Sequence, residues 1–376
     1  MIINIFEKLG ISAEEIENKK KDIFNTFFHG SEDERIFHEA DGDMGYLVDT
    51  GNIDARTEGM SYGMMMCVQM DMKKEFDAIW KWTKTHMLLS EGPNAGYFAW
   101  SCGLDGTKNA NGAAPDGEEY FVMALFFAAN RWGNGEGIYN YENEAKQLLH
   151  TMIHKGENGT EGSPMFDKDN HLIKFVAELD FTDPSYHLPH FYRLWSRWCM
   201  DEDKDFLIEA ERCSREFLKD ACNKETGLSA EYSHYSGKPY KNEPGTFGGR
   251  HDWYYSDAYR TILNIALDYS WFEADEWAEE EAKTFLDFFC HKIGFENWNH
   301  IFEVDGTMLD EPALHPTAII ATNAMTALIL PDDEDALKCA KLFWDTPLRK
   351  GERRYYDNCL YLFAFLALSG SYKIFE

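Results

Sequence analysis

Basic residues are scarce in this chain of 376 residues: 36 Lys and Arg stand against 66 Asp and Glu, a formal net charge of −30. Little here could neutralise phosphates, so neither nucleic acid nor an anionic membrane is expected as a partner. A strongly anionic substrate is disfavoured on the same ground. No apolar run reaches bilayer-spanning length. The segment Met1–Gly10 meets Glu7 and Lys8 after only a few apolar residues. It is too short and wrongly charged for a secretory signal, which leads to the expectation of a cytoplasmic location. Cysteine is sparse and unclustered: Cys67, Cys102, Cys199, Cys213, Cys222, Cys290, Cys339 and Cys359 form no Cys-x-x-Cys pair. That spacing carries neither a zinc signature nor a disulfide scaffold. No low-complexity linker interrupts the chain, so residues 1–376 are expected to form a single domain.

What is abundant is apolar and aromatic: 44% hydrophobic and 15% aromatic residues, including 11 Trp and 19 Tyr. That is ample for a large core, and aromatics beside many carboxylates suit a neutral ligand. Apolar helices are predicted near Asp54–Met70, Glu118–Trp132, Tyr186–Trp198, Asp257–Trp271, Thr317–Leu330 and Tyr355–Leu368. The first is apolar on nearly every side and should be buried all round. Between these lie amphipathic, charged helices: Ser12–Phe28, Lys73–Leu89, Tyr141–His154, Lys204–Asn223, Ala274–Lys292 and Asp332–Asp345. Ser12 with Glu15 forms a capping-box pattern. Recurrence of this kind signals a repeated unit, and six helical hairpins closed in a ring bury one set while solvating the other.

Nearly every apolar helix follows a loop rich in Gly, Pro, Asp, Tyr or His. If those helices run parallel, the loops meet at one end and build one acidic, aromatic cleft. Three carboxylates stand at or just before helix starts: Glu58, Asp116 and Asp257. Taken singly, each reads as an N-cap, favourable by about 1 kcal/mol. Three converging beside Trp100, Tyr186 and Tyr255 suggest something else. Desolvation at the mouth of a buried helix raises a carboxyl pKa toward the range of a general acid. Two carboxylates flanking a bond, one protonated and one ionised, are what glycosidic cleavage requires.

The segments Thr57-Glu58-Gly59-Met60-Ser61-Tyr62-Gly63-Met64, Pro115-Asp116-Gly117 and Ser256-Asp257-Ala258-Tyr259-Arg260 resemble the motifs of glycoside hydrolase family 8. The resemblance spans nearly the whole chain and implies an all-α (α/α)6 barrel and an inverting mechanism. Leu314-His315-Pro316 and Asp183-Pro184-Ser185-Tyr186-His187-Leu188-Pro189 are most similar to the subgroup of reducing-end xylose-releasing exo-oligoxylanases. It implies Glu58 as general acid and Asp257 as the base that activates water, with Tyr186 sharing that water. It further implies Asp116 on the sugar ring at the non-reducing side of the cleaved bond, and Trp100 as a stacking platform there. Arg260 would keep Asp257 ionised, and His315 would bind the reducing-end hydroxyl while its loop closes the cleft. The implied substrate is a short, unbranched β-1,4-xylo-oligosaccharide, with no cofactor, no metal and a monomeric state.

Competing readings stand beside this one. Asp252 is a second candidate for the base, though it lacks an Arg three residues on, and His315 also has a reading as a turn residue before proline. His187 and His190 lack a third partner for a metal. Arg353 and Arg354 read as partners of surface acids. An endo-acting xylanase, β-glucanase or chitosanase of the same family is the nearest alternative, separated by whether the Leu314–Pro316 loop blocks the cleft. A non-catalytic sugar-binding protein would need no acid–base pair. An isomerase would use a histidine pair drawn from His187, His190, His251 and His315.

Overall fold

The computed structural model describes residues 3–242, 247 and 249–376. Among the described residues, thirteen α-helices supply most of the regular secondary structure. A short α1 (Ile5–Lys8) precedes α2 (Ala13–His29), α3 (Thr57–Met70), α4 (Lys73–Trp82), α5 (Pro115–Trp132) and α6 (Tyr141–His154). Then follow α7 (Pro189–Trp198), α8 (Lys204–Ala221), α9 (Tyr259–Phe272), α10 (Trp277–Leu286), α11 (Pro316–Ala324), α12 (Glu334–Asp345) and α13 (Arg354–Leu368). Helices α3, α5, α7, α9, α11 and α13 form the inner set. Each touches the next and α13 returns to touch α3, which closes the ring. The outer helices α4, α6, α8, α10, α12 and α2 pack against them in turn. This is an (α/α)6 barrel.

Burial follows the residue pattern. From Gly59 to Gln69 every α3 residue is buried, and in α13 burial is unbroken from Tyr355 to Leu368. Such helices have no polar face to offer water and are stable only inside a ring. The outer α8 buries only Leu207, Ala210, Ser214, Phe217, Leu218 and Ala221, a single stripe. One contiguous apolar cluster runs from Ile5 to Tyr372. Ser12 and Glu15 form the expected reciprocal cap at the start of α2. Among the described residues, no helix is long and apolar enough to cross a membrane.

The helix starts differ from the sequence-based expectation in ways that matter for the site. Pro115 occupies the first turn of α5, so Asp116 lies inside that helix rather than in a loop before it. Pro189 likewise delays α7, leaving Tyr186 in a separate one-turn 3-10 helix (Pro184–Tyr186). Asp257 sits in another such turn, Ser256–Ala258, ahead of α9.

Small strands connect the helices. β1 (Phe37–Ala40) pairs antiparallel with β2 (Met44–Leu47), and β3 (Ala55–Arg56) with β4 (Ser101–Cys102). β5 (Trp253–Tyr254), β6 (His300–Glu303) and β7 (Met308–Pro312) form a three-stranded sheet that delivers the chain to Asp257 and to the Leu314–Pro316 loop.

Gly117 allows α5 to approach α3. A Cβ there would lie 2.4 Å from Thr57 Cβ and 3.0 Å from the Thr57 carbonyl carbon. Gly117→Ala should therefore destabilise the barrel by about 1–3 kcal/mol through overpacking, read as a lower thermal midpoint. An unchanged midpoint would show that the two helix starts are not in hard contact.

Candidate active site

A cavity of about 520 Å³ opens at the end of the barrel where the inner helices begin. The α3 start contributes Arg56, Thr57 and Glu58; the α5 start contributes Ala113, Ala114 and Asp116. Trp100, Tyr186 and Asp257 complete the polar and aromatic lining, with Phe175, Val176, Tyr232 and Phe247 as an apolar wall. The volume suits one or a few sugar rings. Of the residues singled out from sequence, Glu58, Asp257, Asp116, Trp100 and Tyr186 line this cavity. Arg260 lies directly beneath it.

Arg260 is buried and sits among the three carboxylates. Its Nη1 lies 3.1 Å from Glu58 Oε2, 3.1 Å from Asp116 Oδ2 and 2.8 Å from the Tyr62 hydroxyl. Its Nη2 lies 3.1 Å from Asp257 Oδ1. That last contact is an ion pair without hydrogen-bond alignment, since Nη2 has no hydrogen-bond partner among the described residues. Arg260 was expected to serve Asp257 alone; it serves all three acids at once. Both Glu58 and Asp257 contact one guanidinium, so their separation stays below the upper end, roughly 9.5 Å, of the inverting range.

None of the three acids acts as the N-cap considered from sequence. Arg56 occupies the cap position of α3, and Glu58 lies one residue inside the helix. The Glu58 carboxylate instead accepts a 2.8 Å hydrogen bond from the Tyr355 hydroxyl and pairs with Arg260. Burial pushes its pKa up to about 8, opposed by Arg260 and assisted by Asp116 and Asp257. Burial also raises Asp116, against the pull of Arg260; its Oδ1 accepts from the Gly117 amide at 2.9 Å. Asp257 is the most exposed of the three, its side chain 28% accessible against 16% for Glu58 and 10% for Asp116.

The remaining residues separate cleanly. Trp100 is exposed at the cavity, with the Arg56 guanidinium 5.3 Å from its ring centroid. Tyr186 is buried, 5.5 Å from Arg260 across its ring face. His315 does not line the cavity. It lies buried against Tyr356, with Nδ1 2.9 Å from Asp357 Oδ2. Asp357 also accepts from the Ala318 amide and from Arg349, which in turn donates to the Leu314 carbonyl. The loop is thereby clamped from both sides, and His315 Nε2 has no hydrogen-bond partner among the described residues. Asp252 is held bidentate by Arg250 at 2.8 Å on each oxygen and is not among the lining residues.

His187 bonds Thr182 and Ser214, both at 2.9 Å, and burial drives His187 and His190 down to about 3. Both are neutral interior residues. None of the described lining residues is a histidine, so the isomerase reading finds no acid–base pair here. Arg354 donates to the carbonyls of Glu32, Arg35 and Gly351, holding the start of α13 to the chain after α2 rather than pairing with acids.

Sequence reasoning passed over several groups that the site contains. Tyr355 packs on Gly59, where a Cβ would come within 2.5 Å of its hydroxyl; the glycine was the available signal. Tyr62, one turn beyond Glu58 on the same helix face, was another. Asp183 is fully buried, its pKa raised by burial and by Asp257, with one oxygen unpaired. Glu231 accepts from the Asp257 amide at 3.3 Å and bonds His251 at 2.8 Å, with burial raising it to about 7. Asp183 stands in the Asp183–Pro189 segment that carries the subgroup resemblance, yet the resemblance attaches no role to it; nothing in the local pattern marks Glu231.

Residues 35–370 match the family described as glycosyl hydrolases family 8. The chain is 52% identical over 372 residues to a reducing end xylose-releasing exo-oligoxylanase of Halalkalibacterium halodurans, covering 99% of this chain and 94% of that protein. It is 48% identical to the reducing-end xylose-releasing exo-oligoxylanase Rex8A of Paenibacillus barcinonensis, over 99% and 96% of the two chains. The solved structure of Rex8A complexed with xylose superposes with a TM-score of 0.95 at 47% identity, covering 99% of this chain and 97% of that one.

Tyr355 donates its hydrogen bond to the ionised form of Glu58 and so lowers its pKa. Tyr355→Phe should raise that pKa further. If Glu58 works in its protonated form, activity falls as pH rises through that value, so the alkaline limb of the kcat/KM profile should move to higher pH. A limb that stays in place, or moves to lower pH, would detach that limb from Glu58.

Proposed function

Because the chain belongs to glycosyl hydrolases family 8, we propose that it is a reducing-end xylose-releasing exo-oligoxylanase. It removes xylose, with inversion, from the reducing end of short β-1,4-xylo-oligosaccharides. The observation that carries the mechanism is the pairing of one deeply buried, proton-holding carboxyl with one accessible carboxylate across a single guanidinium.

Glu58 is the general acid. Its pKa near 8 keeps the proton on at neutral pH, ready for the leaving glycosidic oxygen. Asp257 is the general base. It is the most open of the three acids, and its contact with Arg260 lacks hydrogen-bond alignment, so an oxygen remains free to turn toward a water. Tyr186 lines the same wall and shares that water. Asp116 hydrogen-bonds the sugar on the non-reducing side of the cleaved bond, and Trp100 stacks on it. Arg260 fixes all three carboxylates at once. Proton donation and water activation both fall to side chains, so the mechanism calls for no cofactor.

Exo action at the reducing end rests on the two relatives and on the Leu314–Pro316 loop. The clamp by Asp357 and Arg349 holds that loop, and His315 Nε2 is the group left to meet the reducing-end hydroxyl. An endo-acting relative would need this loop out of the way. The domain is one barrel across the whole chain, and it acts as a monomer on a neutral sugar, without nucleic acid or membrane. Eight free thiols, including Cys290 and Cys339 with sulfurs 3.8 Å apart, fit a reducing cytoplasmic setting.

The decisive experiment uses xylotriose labelled at its reducing end. Labelled xylose should appear first, and the xylobiose formed with it should carry the inverted, α configuration at its newly made reducing end. Label retained on xylobiose would point to cutting from the other end, and a retained anomer would remove the inverting mechanism. Glu58→Gln and Asp257→Asn should each lower kcat by about 10²–10⁴-fold with the thermal midpoint intact. Near-normal turnover in either would reassign that role. His315→Ala should raise KM for short oligosaccharides and let label appear in products longer than xylose.

A further inference from the structure

Far from the carboxylates of the active site, on the outer ring, two histidines one helical turn apart face a buried aspartate. His150 and His154 lie on α6, and Asp203 ends the one-turn 3-10 helix Asp201–Asp203 that leads into α8. The Asp203 side chain is fully buried, and its Oδ1 lies 3.0 Å from His150 Nδ1 and 2.8 Å from His154 Nε2. The two imidazole rings pack with centroids 4.4 Å apart. On its other side, His154 Nδ1 is 2.9 Å from Glu157 Oε2, and Glu157 is itself held by Lys168 at 2.7 Å. Glu202 Oε1 lies 3.6 Å from His150 Nδ1. A cavity of about 530 Å³ lined by His150, His154, Glu157 and Glu202 opens onto the group.

The two nitrogens of His154 both face carboxylate oxygens. A neutral imidazole has one N–H, so one of those contacts requires a second positive group, a proton or a metal ion. We propose that His150 Nδ1, His154 Nε2 and an Asp203 oxygen form a binding site for a divalent zinc-class cation. Glu202 or water takes the fourth position. The donor set is two imidazoles and a carboxylate, the chemistry that suits zinc. The three donor atoms lie within 4.8 Å of one another. A tetrahedral ion with bonds of roughly 2.0–2.2 Å holds its ligand atoms about 3.3–3.6 Å apart, so the two Asp203–imidazole contacts need to open by only tenths of an ångström. The two imidazole nitrogens, within 4.8 Å of each other, would draw together. Glu157 then plays the outer-shell part, accepting from His154 Nδ1–H and thereby presenting Nε2 to the metal. The ion takes the place of a proton on His154 and ties α6 to the turn before α8, two neighbouring hairpins of the barrel. None of these residues lines the sugar cavity, so the site is structural. Among the histidines, sequence pointed to His187 and His190 for a metal; the pair one turn apart on α6 gives no such signal because its third ligand lies about 50 residues away.

The test uses the full chain without a histidine tag, stripped with chelator and titrated with Zn²⁺ alone. One equivalent should bind, the thermal midpoint should rise with Zn²⁺ concentration, and cleavage of xylo-oligosaccharides should be the same with and without the ion. His150→Ala and His154→Ala should each abolish stoichiometric binding while leaving hydrolysis intact. Glu157→Gln should weaken it by about 10–100-fold. Should an alanine variant fold poorly, the Co²⁺ form of the unaltered chain provides a second reading: a tetrahedral visible spectrum supports the site. An octahedral, water-like spectrum, no saturable Zn²⁺ binding, or undiminished binding in a folded His150→Ala variant would overturn it.

Discussion

One guanidinium and three carboxylates share a buried space, and the charges do not balance. If Glu58, Asp116 and Asp257 were all ionised, Arg260 would leave two negative charges uncompensated where water is scarce. Burial makes that arrangement costly, so it raises both of the more enclosed acids, Glu58 and Asp116, against the pull of Arg260. Glu58 holds its proton up to about pH 8, with burial as the largest cause, while Asp257 keeps the most contact with solvent. On the proposed mechanism the difference between Glu58 as acid and Asp257 as base thus follows their difference in exposure, while Asp116, more enclosed still, is left to the sugar. The helix N-termini of α3 and α5, which favour anions at Glu58 and Asp116, act against this and are outweighed by desolvation.

The ring of helices supplies that depth. Inner helices with no polar face can be stable only when surrounded, and surrounding them leaves their first turns as the floor of a cleft. Each acid is therefore carried on or beside a rigid element, and neighbouring elements meet where a glycine permits it. Gly117 lets α5 rest on Thr57, and Gly59 lets Tyr355 reach Glu58. The site also stores strain. Ser256, just before Asp257, adopts a left-handed backbone with φ of 39°, and the Tyr356 hydroxyl holds its carbonyl at 3.0 Å. Strain of this sort persists only where surroundings over-determine it. Here the tie comes from α13, the same helix that supplies Tyr355 to Glu58.

Much of this was legible from residue order because helix burial is a matter of pattern. The α3 and α13 segments are apolar all round, α8 carries a single stripe, and the alternation between the two kinds revealed the ring. Glu58, Asp116 and Asp257 were visible as acids placed at helix starts, and the family motifs assigned them separate roles. Less visible were contacts that depend on the closed ring. Tyr355 lies nearly three hundred positions from Glu58, and Glu231 reaches Asp257 across a chain reversal. Arg260 was read as a local partner of Asp257, three residues away, since spacing along a helix is all that sequence offers; its bonds to Glu58 and Asp116 arise only when α3, α5 and α9 share a mouth. Helix starts shifted where proline set them, at Pro115 and Pro189. The short strands have too few residues to carry a period.

The most consequential link runs through α13. Asp357 holds His315 and the first turn of α11; its neighbour Tyr356 packs on His315 and bonds Ser256; Tyr355 bonds Glu58. Three consecutive residues of one buried helix therefore touch the Leu314–Pro316 loop, the backbone beside Asp257 and Glu58 itself. On the proposed mechanism these are the three places where a reducing-end xylose, a water and a proton must be positioned together. Successive helical residues point about 100° apart, so a single straight helix can face all three only by standing between them. A shift of α13 along its axis would move the acid's partner and the loop's anchor by the same amount. On the proposed mechanism, specificity for the chain end and proton transfer to the leaving sugar would then be set by one rigid body, with the loop clamped by α13 rather than left as a mobile lid.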